Sequence, residues 1–155
     1  MNNIIDIEYN LEEYKEKIPQ DFVQDRVNLI LEYLSQTSVE ISISFVSDLE
    51  IQELNKLWRN KDMPTDILSF VQSDNVEDFD FWPENDDAKV LGDMIISIKA
   101  IERNCENFNA SFLEEVDRIL IHGVLHLLGQ DHKTNDKTEA MLVLQEKILS
   151  KIRES

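Results

Sequence analysis

The sequence predicts an α/β (α+β) fold with a small mixed sheet. The predicted elements follow one another as β-α-β-α-β-β-α-α-α, so strands and helices alternate through most of the chain. A length of 155 residues with 42% hydrophobic content suits one hydrophobic core. The chain contains no repeat and no linker-like stretch, so we expect residues 1–155 to form a single domain.

Five elements are predicted in the first half of the chain. Alternating apolar residues indicate strands, and apolar residues three or four positions apart indicate helices. These elements are a strand over residues 4–9, a helix over 21–36, a strand from 39 to 45, a helix from 47 to about 58, and a strand over 67–71. Ser47 and Glu50 form a capping box that begins the second helix, on which we expect Ile51, Leu54 and Trp58 to point inward.

Four further elements are predicted in the second half. Residues 72–89 form an acidic loop with an aromatic cluster, predicted as a surface loop, with a lid or partner contact as the alternative. A buried strand over residues 90–98 precedes a helix to about Phe108. Ser111 and Glu114 form a second capping box, which begins a helix that stops at Gly129. A last amphipathic helix covers residues 136 to about 152.

The chain is strongly acidic, with 32 acidic against 15 basic residues and a formal net charge of -17. This charge argues against a broad nucleic-acid surface, so a nucleic-acid partner would need a local basic site. Cys105 is the single cysteine and allows no internal disulfide. The first residues do not resemble a signal peptide, and no apolar run approaches ~20 residues. We therefore expect a cytoplasmic protein without a membrane partner.

All three histidines lie in one segment of eleven residues, HGVLHLLGQDH. His122 and His126 are four residues apart, so a helix places them on the same face, one turn apart. Gly129 lets the chain leave the helix and bring His132 back toward the other two. Three imidazoles leave one position of a tetrahedral zinc ion for water, which is typical of a catalytic site. We therefore predict one zinc ion per chain, used for hydrolysis.

The surrounding residues favour a metal site over ordinary core or surface histidines. The predicted helix is apolar on nearly every side, and burying imidazoles there without partners would cost free energy. The histidine spacing also matches the zinc-binding segment of the metzincin peptidases. Those enzymes carry a glutamate, their general base, directly after the first histidine. Here that position is Gly123, so the sequence disfavours ordinary proteolysis.

A basic cluster lies upstream, near the end of a predicted helix. It consists of Lys56, Arg59 and Lys61. The planar fork of an arginine suits a phosphate diester. The alternative is a solvated helix end whose cations complement the helix dipole. The Pro-Thr-Asp segment that ends at Asp66 is either part of the same site or a simple turn.

Two further aspartates are candidates for roles near the histidines. Asp93 lies within an apolar predicted strand, and a buried carboxylate needs a partner. It would either orient a ligand histidine or cap nearby backbone amides. Asp131, which directly precedes His132, would orient the metal-bound water or shape the turn.

Four stretches together resemble the YbeY family of bacterial rRNA maturation factors, which are metal-dependent endoribonucleases. They are HGVLHLLGQDH, RNKDMPTDILSF, LGDMIIS and the pair Leu54-Asn55, and their order and spacing match over residues 39 to about 146. The histidine segment followed by Asp131 is highly specific, and PTDILSF is a second signature. Gln130 and Val71 depart from the family, which usually has an aromatic residue and commonly a proline there.

The resemblance implies a single domain in which a zinc-ligand helix is buried against a small, four-stranded sheet with about five helices in all. The family ligands fall on His122, His126 and His132, and the family's important arginine falls on Arg59. The implied activity is cleavage of single-stranded RNA in 3′-end maturation of small-subunit rRNA and in ribosome quality control. The implied partners are rRNA, the small ribosomal subunit and assembly proteins.

These observations lead to a hypothesis for the chemistry. Zinc activates a water or binds a phosphate oxygen, and Arg59 stabilises the charge on the phosphodiester. Asp66 and Asp131 are weaker candidates for a general base than the metal-activated water itself. Two alternatives are a metal-dependent hydrolase of peptides or small molecules, and a ribosome-assembly factor whose metal is structural.

Overall fold

A computed structural model describes residues 3–72, 89–129 and 135–154 of the chain. Most of the predicted acidic loop, residues 73–88, lies outside the described residues, whereas Lys89 belongs to a strand. The elements in chain order are β1 (Ile4–Tyr9), α1 (Glu12–Lys17), α2 (Gln20–Tyr33), β2 (Val39–Val46), α3 (Asp48–Arg59), β3 (Ile67–Val71), β4 (Lys89–Ser97), α4 (Ile98–Phe108), α5 (Phe112–Leu127) and α6 (Asn135–Arg153).

The four strands form one mixed sheet in the order β1-β2-β4-β3. β1, β2 and β4 run parallel to one another, and β3 runs antiparallel to β4 at the sheet edge. The prediction of a small mixed four-stranded sheet in an α/β fold is therefore confirmed. The described residues contain six helices rather than about five. The additional helix is α1, whose six residues bury only Tyr14 and so carry little apolar periodicity.

The main core lies between one face of the sheet and the helices α2, α5 and α6. α5 contacts β3 and β4 on one side and packs against α2, α4 and α6 on the others. This position explains why α5 is apolar on nearly every side, since neighbours surround it. A smaller cluster of Val46, Ile51 and Leu68 lies on the other face of the sheet, where α3 packs.

Serine side chains cap the beginnings of α3 and α4. The Ser47 side chain accepts a hydrogen bond from the Glu50 N–H, so Ser47 is confirmed as the residue that caps the beginning of α3. Ser97 accepts from the Ala100 N–H and thereby begins α4. The last strand therefore ends at Ser97, and Ile98, predicted as its final residue, is instead the first residue of α4.

Trp58 does not point inward as predicted. Its side chain is 64% exposed, whereas Ile51, two turns earlier on α3, is fully buried. The sheet ends at β3, so the apolar side of α3 extends beyond the surface that it covers. The Trp58 and Phe70 rings pack in a T-shaped arrangement, with their centroids 6.0 Å apart.

Within the described ranges, no helix is long and apolar enough to cross a membrane.

Candidate metal centre and adjoining cavity

α5 carries two of the three histidines and begins where the sequence predicts. The Ser111 hydroxyl accepts a hydrogen bond from the Glu114 N–H at 3.2 Å, which caps the first turn. The helix ends at Leu127, and Gly129 follows with a φ of 97°, a left-handed value that favours glycine. The prediction that Gly129 redirects the chain after the helix is therefore confirmed for the backbone of this residue.

The two imidazoles of α5 lie side by side. The Nε2 atoms of His122 and His126 are 3.1 Å apart, and their ring centroids are 4.7 Å apart. Two nitrogens bound to one tetrahedral zinc ion at about 2.0–2.1 Å are themselves about 3.3 Å apart. The same separation suits an N–H···N hydrogen bond between neutral rings. The distance between the two nitrogens is therefore close to the one that a shared zinc ion would impose.

Gln145 of α6 determines how His122 presents its nitrogens. The Gln145 Oε1 atom lies 2.8 Å from His122 Nδ1, and the Gln145 side chain is almost fully buried. An amide oxygen only accepts hydrogen bonds, so Nδ1 carries the proton and Nε2 keeps its lone pair. The other end of the amide, Nε2 of Gln145, donates to a carboxylate oxygen of Glu146 at 3.3 Å, which assigns the orientation of the amide.

Arg118 anchors this chain of hydrogen bonds. Its Nε and Nη2 atoms donate to the two carboxylate oxygens of Glu146 at 2.9 and 3.2 Å. Arg118 also binds the carboxylates of Glu114, at 3.1 Å, and of Glu115. The guanidinium lowers the pKa of Glu146 through its hydrogen bond, and so keeps the Glu146 carboxylate ionised as the acceptor for Gln145.

Gly123 is the residue that replaces the glutamate of the peptidases. A Cβ atom at this position would lie 2.4 Å from Met94 Cε and 2.9 Å from Ile67 Cδ1. A longer side chain would therefore enter the core between α5 and the sheet, away from the imidazole pair. The packing of α5 against β3 and β4 therefore favours a glycine at this position, since a Cβ atom would displace the side-chain ends of Met94 and Ile67.

Of the other predicted site residues, Asp66 and Arg59 lie in the described part of the chain. Asp66 lines a cavity together with His122, whereas Arg59 is exposed as the last residue of α3. His132 and Asp131 lie outside the described residues, so their predicted roles stay predictions. Within the described ranges, no group of three histidine, cysteine or acidic side chains is positioned to hold a metal ion.

The prediction that Asp93 is a buried carboxylate is wrong. The strand β4 is apolar on the face that packs against α5, but Asp93 points to the opposite face and is exposed. Its neighbours across the sheet are Ser42 on β2 and Phe70 on β3. Asp93 therefore lies on an exposed part of the other face of the sheet, away from α5 and its histidines.

A cavity of ≈ 580 Å³ lies beside His122. Its wall combines the loop before β3, the turn between α4 and α5, and the facing surfaces of α5 and α6. Most lining side chains are polar, and they include Asp66, Asn104, Asn109, Ser111, Arg118 and Gln145. His122, the first histidine of the pair, thus borders a cavity that offers several hydrogen-bonding groups.

The sequence analysis missed Gln145, Glu146 and Arg118. The contacts of Gln145 cross from α6 to α5 over 23 positions of the sequence, so no local spacing indicates them. One signal was present, because Gln145 lies on the same helical stripe as the buried residues Met141 and Ile148. A polar residue on a buried stripe needs a partner, which pointed to a polar group on the neighbouring helix.

The amino-acid sequence is similar to a family model and to several named proteins. The family model described as Endoribonuclease YbeY matches residues 5–153. A Persephonella marina protein named Endoribonuclease YbeY is 40% identical over 154 residues, covering 99% of this chain and 94% of that protein. A Sulfurihydrogenibium protein of the same name is 40% identical over 144 residues, covering 92% and 90%.

A solved structure is also similar. The solution structure of TM1509 from Thermotoga maritima has a TM-score of 0.60 and 25% sequence identity to this chain. The alignment covers 97% of this chain and 93% of the Thermotoga protein. The similarity in sequence and the similarity in fold therefore both extend over nearly the whole chain.

Proposed function

Because this chain belongs to the YbeY family of endoribonucleases, we propose that it is a zinc-dependent endoribonuclease that cleaves single-stranded RNA. We further propose that it acts in 3′-end maturation of small-subunit rRNA and in ribosome quality control, in the cytoplasm. Its partners would then be rRNA, the small ribosomal subunit and assembly proteins. Membership of the family supports endoribonuclease activity and an RNA substrate directly.

The observation that carries the proposal is the pair of imidazole nitrogens, 3.1 Å apart, of which His122 borders a polar cavity. His122 and His126 would hold the zinc ion, and His132 would be the third ligand. A zinc ion in such a site acts as a Lewis acid and lowers the pKa of a bound water from ~15.7 to ~7. Gln145 contributes by holding His122 in the tautomer whose Nε2 is free of a proton.

The basic cluster at the end of α3 would bind the substrate backbone. Arg59 and Lys61 are exposed, and Lys56 makes a long contact of 3.9 Å to Asp62. In a chain with a formal net charge of -17, such a cluster is where a polyanion meets least repulsion. In the reaction, the Arg59 guanidinium would donate hydrogen bonds to phosphate oxygens as charge develops on the phosphodiester.

An exposed aromatic residue beside this cluster favours single-stranded RNA. Trp58 directly precedes Arg59 and is 64% exposed, so one face of its ring is accessible to an unpaired base. Bases of a duplex are stacked on each other and do not reach such a ring. Asp66 lines the cavity beside His122 and is a candidate to accept a proton during the reaction. Asp131 remains a further candidate.

A cleavage assay with purified protein tests the proposal. Single-stranded RNA, structured RNA and casein are incubated with the protein, with and without a chelator. We expect cleavage of single-stranded RNA alone, abolished by the chelator and restored by zinc. Cleavage of casein would support the alternative of a peptide hydrolase, and RNA processing that survives loss of cleavage would support an assembly factor with a structural metal.

Two variants separate metal binding from substrate binding. His126→Ala should lose both zinc and RNA cleavage, whereas Arg59→Ala should retain zinc and lose cleavage. Lys15→Ala is the control, because Lys15 is an exposed cation on α1, which packs beside β1 at the opposite edge of the sheet from β3. Wild-type zinc content in His126→Ala would show that the site assignment is wrong.

A further inference from the structure

The cavity beside His122 has the size and the lining of a small-molecule site. Its volume of ≈ 580 Å³ lies within the range of about 300–1,000 Å³ that such pockets usually have. We propose that it binds the base and ribose of the nucleotide that adjoins the cleaved phosphodiester. This inference rests on the proposed endoribonuclease function and adds to it a preference for one class of base.

Two asparagines supply the hydrogen-bonding groups for a base. Asn104 lies on α4, and Asn109 follows the helix in a left-handed conformation with a φ of 53°. Both line the cavity, and within the described residues neither side-chain amide has a hydrogen-bond partner. Each amide offers two N–H donors and one acceptor oxygen, the combination that reads the Watson–Crick edge of an unpaired base.

The charge of the wall excludes the phosphate from the cavity. Glu114, Glu115 and Glu146 share a single cation, Arg118, so the carboxylates outnumber the guanidinium. Asp66 adds a further carboxylate to the same wall. A phosphate inside would meet like charges, whereas the neutral base and the ribose hydroxyls can donate to these oxygens. His122 borders the cavity, so the phosphate of a nucleotide bound there lies on the side of the histidine pair.

Asp66, the carboxylate of this wall that Arg118 does not bind, discriminates between bases. Guanine presents an imino and an amino N–H side by side, which one carboxylate accepts in a bidentate manner. Adenine and cytosine present one amino group each. Uracil presents one imino N–H between two carbonyl oxygens, and these oxygens would face the carboxylates. We therefore expect guanine to be preferred and uracil to be disfavoured.

Binding of the neutral nucleoside guanosine tests the cavity without any cleavage. In ¹⁵N-labelled full-length protein, guanosine should shift the side-chain amide signals of Asn104 and Asn109, and uridine or inorganic phosphate should not. Asn104→Ala and Asn109→Gly should each weaken guanosine binding at least fivefold. Glycine is chosen at position 109 because it keeps the left-handed backbone. Asn28→Ala, on the exposed side of α2, should bind as the wild type does.

Cleavage of a uridine oligomer that contains one guanosine gives the second measurement. Wild-type protein should cut at least tenfold more often next to the guanosine than elsewhere, and the double variant should cut evenly. Unchanged guanosine affinity in both variants, or equal shifts with phosphate, would overturn the proposal for the cavity. If the oligomer is cut evenly by the wild type, the cavity proposal fails while the endoribonuclease function stands. Absence of any RNA cleavage would instead overturn the proposed function.

Discussion

The Nδ1 atom of His122 and the Oε1 atom of Gln145 lie 2.8 Å apart, and this contact connects α5 to α6 at the candidate metal centre. Gln145 is held in turn by Glu146, and Glu146 by Arg118. The orientation of the His122 ring therefore depends on a chain of hydrogen bonds that begins at an arginine on its own helix. A ligand fixed in this way loses less conformational freedom when it binds an ion.

Removal of the Gln145 amide should weaken metal binding. We expect the zinc affinity of Gln145→Ala to fall about 10–100-fold, the usual effect of losing a partner of a ligand histidine. Gln145→Glu should retain most of the affinity, because a carboxylate oxygen also accepts from Nδ1. Competition with a chromophoric chelator measures these affinities, and Gln36→Ala serves as the control. Wild-type affinity in Gln145→Ala would show that the contact does not position the ligand.

A glutamate at position 123 should not produce a peptidase. The Cβ atom would already lie 2.4 Å from Met94 Cε, so Gly123→Glu places a carboxylate in the core. We expect the free energy of unfolding to fall by more than about 3 kcal/mol, through overpacking and an unpaired buried charge. Urea denaturation measures the loss.

Gly129→Ala is the matched glycine control for this experiment. Among the described residues, no heavy atom lies within 4 Å of a Cβ atom built at Gly129, so we expect its substitution to strain the backbone, at a φ of 97°. The expected cost is about 1 kcal/mol. A stable Gly123→Glu protein that cleaves casein would contradict the packing argument.

The buried carboxylate of Asp117 should be essential for the packing of α5. Its side chain is fully buried and contacts Arg153 of α6 at 2.9 Å and Arg26 of α2 at 3.2 Å. Asp117→Ala removes the carboxylate that both cations contact, although Arg26 still donates to the Ile152 carbonyl oxygen at 3.1 Å. We expect a loss of about 2–3 kcal/mol, less than the ~3–5 kcal/mol of fully buried pairs because both arginines are partly exposed. Asp25→Ala, at an exposed position of α2, should change the unfolding midpoint little.

Stability at acid pH should depend on Asp48. Hydrogen bonds from Arg103, and then from Ser97, lower the pKa of the Asp48 carboxyl. A carboxyl whose pKa is lower in the folded state stabilises the fold above its unfolded-state pKa, about 3.9, and loses this contribution as the pH falls through the folded-state value. Asp48→Asn should therefore be less stable than wild type at pH 6, with the difference shrinking below about pH 4. Urea midpoints measured across this range, with Asp25→Asn as control, check the expectation.

Local sequence patterns predicted the elements whose stability is encoded locally. The bounds of β1 and β3 agree with the predicted ranges, and the capping serines Ser47 and Ser111 begin α3 and α5 as predicted. These signals work because a side chain and the backbone N–H that it caps lie only three residues apart. The short helix α1 was missed because a single buried residue gives no periodicity.

The side-chain orientations predicted for Trp58 and Asp93 from the apolar pattern were wrong, and the physical reason is the same for both. Trp58 continues the apolar stripe of α3, and Asp93 interrupts an apolar strand, so each was expected to be buried. Both depend on where the sheet ends and on which of its faces is covered. A one-dimensional pattern shows that an element has an apolar side, but the extent of the surface opposite that side is set by other parts of the chain.

The sequence by itself determined the family, the fold class, and the helical spacing that puts His122 and His126 on one face of α5. The sequence by itself also showed that glycine, and not the glutamate of the peptidases, follows His122. Only the tertiary structure decided that Gln145 sets the tautomer of His122, and that Asp66, Asn104 and Asn109 surround a cavity beside it. The physical reason is that helix spacing follows from the backbone geometry of one turn, whereas these contacts arise from the packing of elements far apart in the chain.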